Sequence, residues 1–281
     1  MPRPKSVLPW LLFPCLLWVT VFLIGPLLIV TGFSVLKRGP YGGVVFDLNI
    51  QSFLRSFDPL YLRILLSSFQ MAALTTFLCV LLGFPLAYTI ATAPKRMRNL
   101  LLTFVMVPFW TNFIIRVYSI KLLFSEKGLA GLLTEWLGVT GTLPSVIPVT
   151  VAMVINYLPF LVLPLYVCLE KLEFVLVEAA QDLGARPWQV WTRVILPQSL
   201  PGLVAGSIFV FTPALGEFVI PDLLGGAQTV FIGNVISEQF LKTRDWPFGS
   251  ALTLVLLGLV SVFIAVGRLD RVLGESKRAV G

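Results

Sequence analysis

Six uncharged, strongly apolar intervals divide the chain, at 6–36, 64–94, 99–115, 136–169, 194–216 and 246–267. Each is near or above the roughly 20 residues a helix needs to cross the hydrocarbon of a bilayer. The third is short by that measure and is expected to continue past Arg116 to about Phe124. The pattern predicts an all-α membrane protein with six transmembrane helices, organised as one domain over 1–281 without an internal repeat or low-complexity segment. The first interval superficially resembles a signal peptide. Its run from Ser6 to Leu36 is too long for the apolar part of one, and no Ala-x-Ala site follows, so it is read as a retained first span. Prolines stand inside the intervals or near their ends at Pro14, Pro26, Pro85, Pro108, Pro159, Pro164, Pro213 and Pro221. Each removes a backbone donor and bends its helix, which neighbouring helices make tolerable. Pro213 and Pro221 also bracket Gly216 and Glu217.

The polar interruption between the fourth and fifth intervals has its own pattern. "EAAQDLGARPWQVWTRVILP", residues 178–197, carries Glu178, Asp182, Arg186 and Arg193 around Gly184. The residues before Gly184 are strong helix formers. Glycine at that position suits a left-handed helix stop, and Pro187 suits the first position of a new helix. Trp188, Trp191 and Ile195 then recur on one face, with Pro197 and Pro201 punctuating the start of the fifth span. The expectation is two short helices meeting at a bend, with an apolar face that needs a partner surface. An interfacial helix with its tryptophans at the lipid headgroups accounts for Trp188 and Trp191, but not for the spacing of Glu178, Ala179, Ala180 and Gly184.

Composition sharpens this picture. At 57% hydrophobic and 12% charged residues, with a mean hydropathy of +0.91, the chain has too little charge to clothe a soluble domain. Its net charge of +7 is scattered between apolar runs, which suits a membrane surface and not a nucleic-acid groove. Of 21 lysines and arginines, 12 fall in the N-terminus, the loop 94–99, the loop 170–198 and the C-terminus. That bias predicts cytoplasmic termini and makes 170–198 a cytoplasmic loop. Cys15, Cys79 and Cys168 lie in apolar runs with no metal or redox spacing. With no histidine in the chain, His-ligated haem, His-containing zinc sites and Ser–His–Asp catalysis are excluded. No catalytic residue and no metal-ligand set is expected. No G-x-x-x-x-G-K-[ST] loop is present, so ATP would have to be bound by a partner.

The 20-residue stretch resembles the EAA loop of ABC importer permeases: Glu178-Ala179-Ala180, then Gly184, Val194 in the aliphatic place and Leu196-Pro197. The segments "VPFWTNFIIRVYS", "NYLPFLVLPLY", "PALGEFVIPDLLGG" and "IGNVISEQF…RDWPFGSA" resemble the first permease of spermidine/putrescine importers across most of 60–260. The resemblance implies the type I importer permease fold in a bacterial cytoplasmic (inner) membrane. It also implies a coupling helix within 170–198 that docks on an ATPase, with Glu178, Ala179, Ala180, Gly184 and Arg186 as the coupling residues. The implied partners are a sister permease forming a heterodimer, two ATPase subunits that hold ATP and Mg, and an extracytoplasmic substrate-binding protein. Permeases for ferric iron, sulfate or amino-acid-like solutes share the fold and remain alternatives. An ion-coupled secondary transporter would want more intramembrane acids and an internal repeat. A membrane enzyme using Glu217 and Asp222 would want a nucleophile beside them.

Charges inside a membrane are costly and mark function by default. Glu217 lies 16 residues beyond Pro201, about 24 Å along its span at ~1.5 Å per residue, and Arg116 lies equally far beyond Leu100. Two readings stand for Glu217: a carboxylate facing a cationic solute, or an ion pair with Arg116. Trp110, Tyr118 and Tyr157 offer cation–π faces to an ammonium group, though core packing or an interfacial belt also accounts for such aromatics. Asn112 and Asn156 are buried-amide candidates for the substrate pathway.

Overall fold

The computed structural model describes residues 8–125, 128–129, 146–172, 174–226 and 229–279. Helix α1 comprises Leu8–Val19 and Gly25–Ser34, joined by a π turn at Thr20–Ile24. Strands β1 (Leu36–Arg38) and β2 (Val44–Leu48) follow, then α2 (Gln51–Ser56), α3 (Pro59–Thr92), α4 (Lys95–Trp110) and α5 (Phe113–Leu123). After them come α6 (Val146–Glu170), α7 (Phe174–Asp182), α8 (Pro187–Leu215), α9 (Ile232–Leu241) and α10 (Trp246–Ala279).

Among the described residues, four helices are long and apolar enough to cross a membrane: Leu12–Ser34 within α1, then α3, α6 and α8. The apolar part of α10, Trp246–Val262, is a shorter candidate. The third interval continues past Arg116 as far as Leu123, but as two helices and not one. It breaks at Thr111–Asn112, and α4 and α5 meet at 92°. Thr111 is extended and its hydroxyl donates to the Pro108 carbonyl, closing α4. Asn112 then starts α5 by accepting the Ile114 N–H at 2.8 Å. The early part of the fourth interval, 136–145, lies outside the described residues. The sequence pattern also gave no warning of the β1–β2 hairpin, an antiparallel pair turned through Gly42 and Gly43, both at positive φ.

The described residues group into two compact units. One comprises residues up to Leu62 together with those from Val235 onward. Here α1 lies along α10, with Phe33 stacked on Trp246. The hairpin and α2 converge on Asp245, whose side chain is only 5% exposed. Arg55 approaches it at 3.3 Å and Arg38 at 3.7 Å, while the Arg55 guanidinium covers the Phe248 ring at 4.2 Å. Asp245 also accepts the Phe248 N–H near the start of α10, and the Arg244 carbonyl accepts the Gly43 N–H.

The other unit, 63–234, has α6 and α8 at its centre. Small residues let the two backbones approach. A Cβ on Gly202 would lie 2.6 Å from Cys168 Cβ and 2.9 Å from the Pro164 carbonyl oxygen. One on Gly206 would lie 3.0 Å from the Leu161 carbonyl oxygen. Between membrane helices, packing of this kind replaces the hydrophobic drive that water would supply. A leucine at Gly206 would meet the Leu161 backbone first, which cannot swing aside as a side chain can. It should cost at least the ~1–3 kcal/mol typical of overpacking, read as a lower melting temperature of the purified protein. Unchanged melting of Gly206→Leu would show that this contact does not hold α6 to α8.

Candidate functional site: an exposed turn and a polar cluster joined by one helix

The turn at 183–186 ends α7 as a Schellman motif. The Ala185 N–H reaches back to the Ala180 carbonyl at 3.0 Å and the Gly184 N–H to that of Gln181 at 2.8 Å, with Gly184 at φ +79°. The next helix starts at Pro187, where the Arg186 N–H is taken by the Gln189 side chain at 2.9 Å. Glu178, Ala179, Gly184 and Arg186 are exposed and Ala180 is half-buried, so the turn presents the Glu-Ala-Ala stretch outward.

Two features differ from the expected helix pair. The second helix is not short: it runs from Pro187 to Leu215 without a break. A π turn at Trp191–Ile195, where the Leu196 N–H reaches the Trp191 carbonyl, directly precedes Pro197. The wider turn gives the Pro197 ring room, and Pro201 lies inside the helix that continues to Leu215, so neither proline ends it. The apolar face also shifts. Val190 and Ile195 are buried, and Trp191 packs on Phe84 and Tyr88 of α3 at 5.4 and 4.9 Å between ring centres. Trp188 stays 77% exposed.

At the other end of α8 the chain breaks at Gly216–Phe218 before helical backbone resumes at Val219 and passes into a π turn, Pro221–Gly225. Glu217 holds this break. Its Oε1 accepts the N–H groups of Val219 (2.8 Å) and Ile220 (3.2 Å), and its Oε2 accepts the Tyr157 hydroxyl. Asn156, beside Tyr157 on α6, accepts from Arg116 Nη1 at 2.8 Å and donates to the Ala152 carbonyl at 2.7 Å. Arg116 Nη2 donates to the Thr111 carbonyl at 3.2 Å. Phe109, Phe160 and Tyr157 form a ring cluster beside these groups. Among the described residues Arg116 and Glu217 form no ion pair, although their expected depths were similar.

The structure thus gathers Glu217, Tyr157, Asn156 and Arg116 into one polar cluster linking α5, α6 and the end of α8. Asn156 and Tyr157 are buried within this chain. Trp110 (77% exposed), Asn112 and Tyr118 lie on the α4–α5 elbow and face outward. Two further residues shape the break and escaped the sequence reading. Asn234 donates to the Phe218 carbonyl at 2.9 Å. A Cβ on Gly233 would lie 2.5 Å from the Gly216 carbonyl oxygen, so the start of α9 can pass only as glycine there. "IGN" at 232–234 gave a faint signal, a glycine and an amide where a helix begins.

The chain is similar to known proteins over most of its length. The family described as "Binding-protein-dependent transport system inner membrane component" matches residues 79–274. The spermidine/putrescine transport system permease protein PotB of Escherichia coli (strain K12) is 42% identical over 255 residues, covering 89% of this chain and 92% of the relative. Its namesake from Haemophilus influenzae is 39% identical over 253 residues, covering 89% and 88%. Among solved structures, a bacterial ABC transporter involved in the import of the acidic polysaccharide alginate superposes with a TM-score of 0.75 at 19% identity. The match covers 93% of this chain and 95% of that one.

Proposed function

The chain belongs to the binding-protein-dependent transport system inner membrane component family, and from that premise we propose that it conducts polyamines as half of an ATP-driven import pathway. The permease has no catalytic chemistry of its own. The observation that carries the choice of solute is a half-buried carboxylate, Glu217, braced by Tyr157 at the end of α8 remote from the coupling turn. A carboxylate beside an aromatic ring attracts an ammonium group by charge and by the ring's quadrupole. The relationship to spermidine/putrescine permeases points the same way.

In this reading 1–281 is one permease domain of the inner membrane with both termini cytoplasmic, and 170–198 faces the cytoplasm. A different sister permease completes the pathway. Two ATPase subunits bind ATP and Mg and receive the exposed turn around Glu178, Ala179, Ala180, Gly184 and Arg186. An extracytoplasmic binding protein delivers solute near Trp110, Asn112, Tyr118 and the cluster of Glu217, Asn156 and Tyr157. Closure of the ATPases displaces the start of α8. Being one unbroken helix of 29 residues, about 44 Å at ~1.5 Å per residue, it carries the displacement to the break that Glu217 holds.

The deciding experiment is ATP hydrolysis and uptake by the reconstituted complex with its binding protein. Spermidine or putrescine should stimulate both, whereas ferric iron, sulfate and amino acids should not. Stimulation by one of the latter alone would reassign the solute.

A further inference from the structure

Arg116 stands in an unusual position for a pathway that carries cations. It lies just past the α4–α5 elbow, half-buried, with five N–H donors to satisfy. Two find acceptors, the Asn156 amide oxygen and the Thr111 carbonyl, both neutral. Its Nε is buried and has no acceptor. No carboxylate of the described residues lies within 4.0 Å, and Glu217 is occupied by Tyr157 and two backbone N–H groups. Neutral dipoles spread a guanidinium's charge but do not cancel it. Left so, it would repel an approaching polyamine and bear the cost of partial desolvation.

The surface around it is also unfinished. On α5, Val117 and Ile120 are buried against this chain, while Ile114, Tyr118 and Leu122 recur every fourth residue on the open side, 48–70% exposed. Polar Thr111, Asn112 and Ser119 are exposed beside them. Apolar side chains mixed with amide, hydroxyl and guanidinium groups suit a protein partner within the membrane better than lipid tails. We infer that the sister permease docks on this elbow and sets a carboxylate against Arg116. The inference rests on the two-permease reading above. The pair would leave Glu217 as the uncompensated charge that the cargo meets.

The test uses the whole complex purified through a tag on this chain. Absence of a sister subunit from the wild-type preparation would refute the two-permease reading itself. With that subunit present, Arg116→Lys should retain it and Arg116→Glu should lower its recovery roughly tenfold, since like charges then face each other. Reversing one acidic residue of the sister to lysine should restore recovery in the Arg116→Glu background and impair it in the wild type. Should Arg116→Glu fail to insert, seen as loss of the chain from membranes, a cysteine pair decides without introducing charge. Arg116→Cys should form a disulfide-linked dimer with a cysteine at that acidic position under mild oxidation. Wild-type recovery of the sister with Arg116→Glu overturns the inference, as does failure of every acidic position in the sister to cross-link. Intact assembly with uptake abolished overturns it too, because Arg116 would then face the solute.

Discussion

Glu217→Gln should raise the polyamine concentration for half-maximal uptake roughly tenfold, equivalent to ~1.4 kcal/mol, while the complex assembles with unchanged thermal stability. The structure makes this a clean removal of charge. Glutamine keeps the oxygen that accepts the Val219 and Ile220 N–H groups, and the Tyr157 hydroxyl can turn to accept from the new amide. Since Arg116 donates its hydrogen bonds to the Asn156 side-chain oxygen and the Thr111 carbonyl, the change strands no ion-pair partner within this chain. Glu217→Ala is different. It leaves two N–H groups at the resumed helix without their acceptor, and loss of such a cap costs about 0.5–2 kcal/mol. Alanine should therefore lower both melting temperature and uptake, and glutamine uptake alone. Wild-type uptake by Glu217→Gln, with only the alanine variant impaired, would make Glu217 a helix cap and remove it from the solute pathway.

Tyr157→Phe supplies an independent check on the same cluster. It keeps the carboxylate and removes the hydroxyl that donates to it. Uptake affinity should fall less than in Glu217→Gln, because the charge remains but is less well placed. An affinity loss equal to or larger than that of glutamine would assign the primary contact to the tyrosine hydroxyl.

The parts of the molecule that follow local chemistry were legible from the chain. Gly184 and Pro187 announce a left-handed stop and a helix start by their own backbone limits, and the Schellman turn sits where they place it. Apolar runs announce helices in the same way. Features set by distant partners were not legible. The brace on Glu217 comes from Tyr157, 60 positions earlier, and nothing in either neighbourhood names the other. Charge and expected depth alone made an Arg116 pair attractive, but two backbone N–H groups at the helix break compete for that carboxylate. The 92° elbow lay between these extremes. "TNF" after Pro108 is a cap signal, and an apolar count that runs straight through it overlooks the new helix. Pro197 and Pro201 misled in the opposite direction: a π turn makes room ahead of Pro197, and Pro201 lies within the continuing helix.

Gly184→Leu should abolish most uptake while the chain still inserts and the ATPases still hydrolyse ATP. The residue sits at φ +79°, and nothing lies within 4 Å of where a Cβ would stand. Crowding is therefore not the penalty. The cost is conformational, roughly 1–2 kcal/mol for a side chain held in the left-handed region. The turn can escape it by rotating, which would break the Ala185-to-Ala180 and Gly184-to-Gln181 hydrogen bonds that close the end of α7 just before α8 begins. Because α8 continues unbroken to Leu215, a misaimed start changes how any push at the turn reaches the break at Glu217. Gly184→Asn should be milder, since asparagine tolerates this conformation better than other side chains. The expected order of uptake is glycine, asparagine, leucine, with hydrolysis per complex much less affected than transport. Normal uptake by Gly184→Leu would show that the turn's geometry does not carry the coupling. Parallel loss of hydrolysis and uptake would place the defect in ATPase docking at the exposed Glu178–Ala180 face.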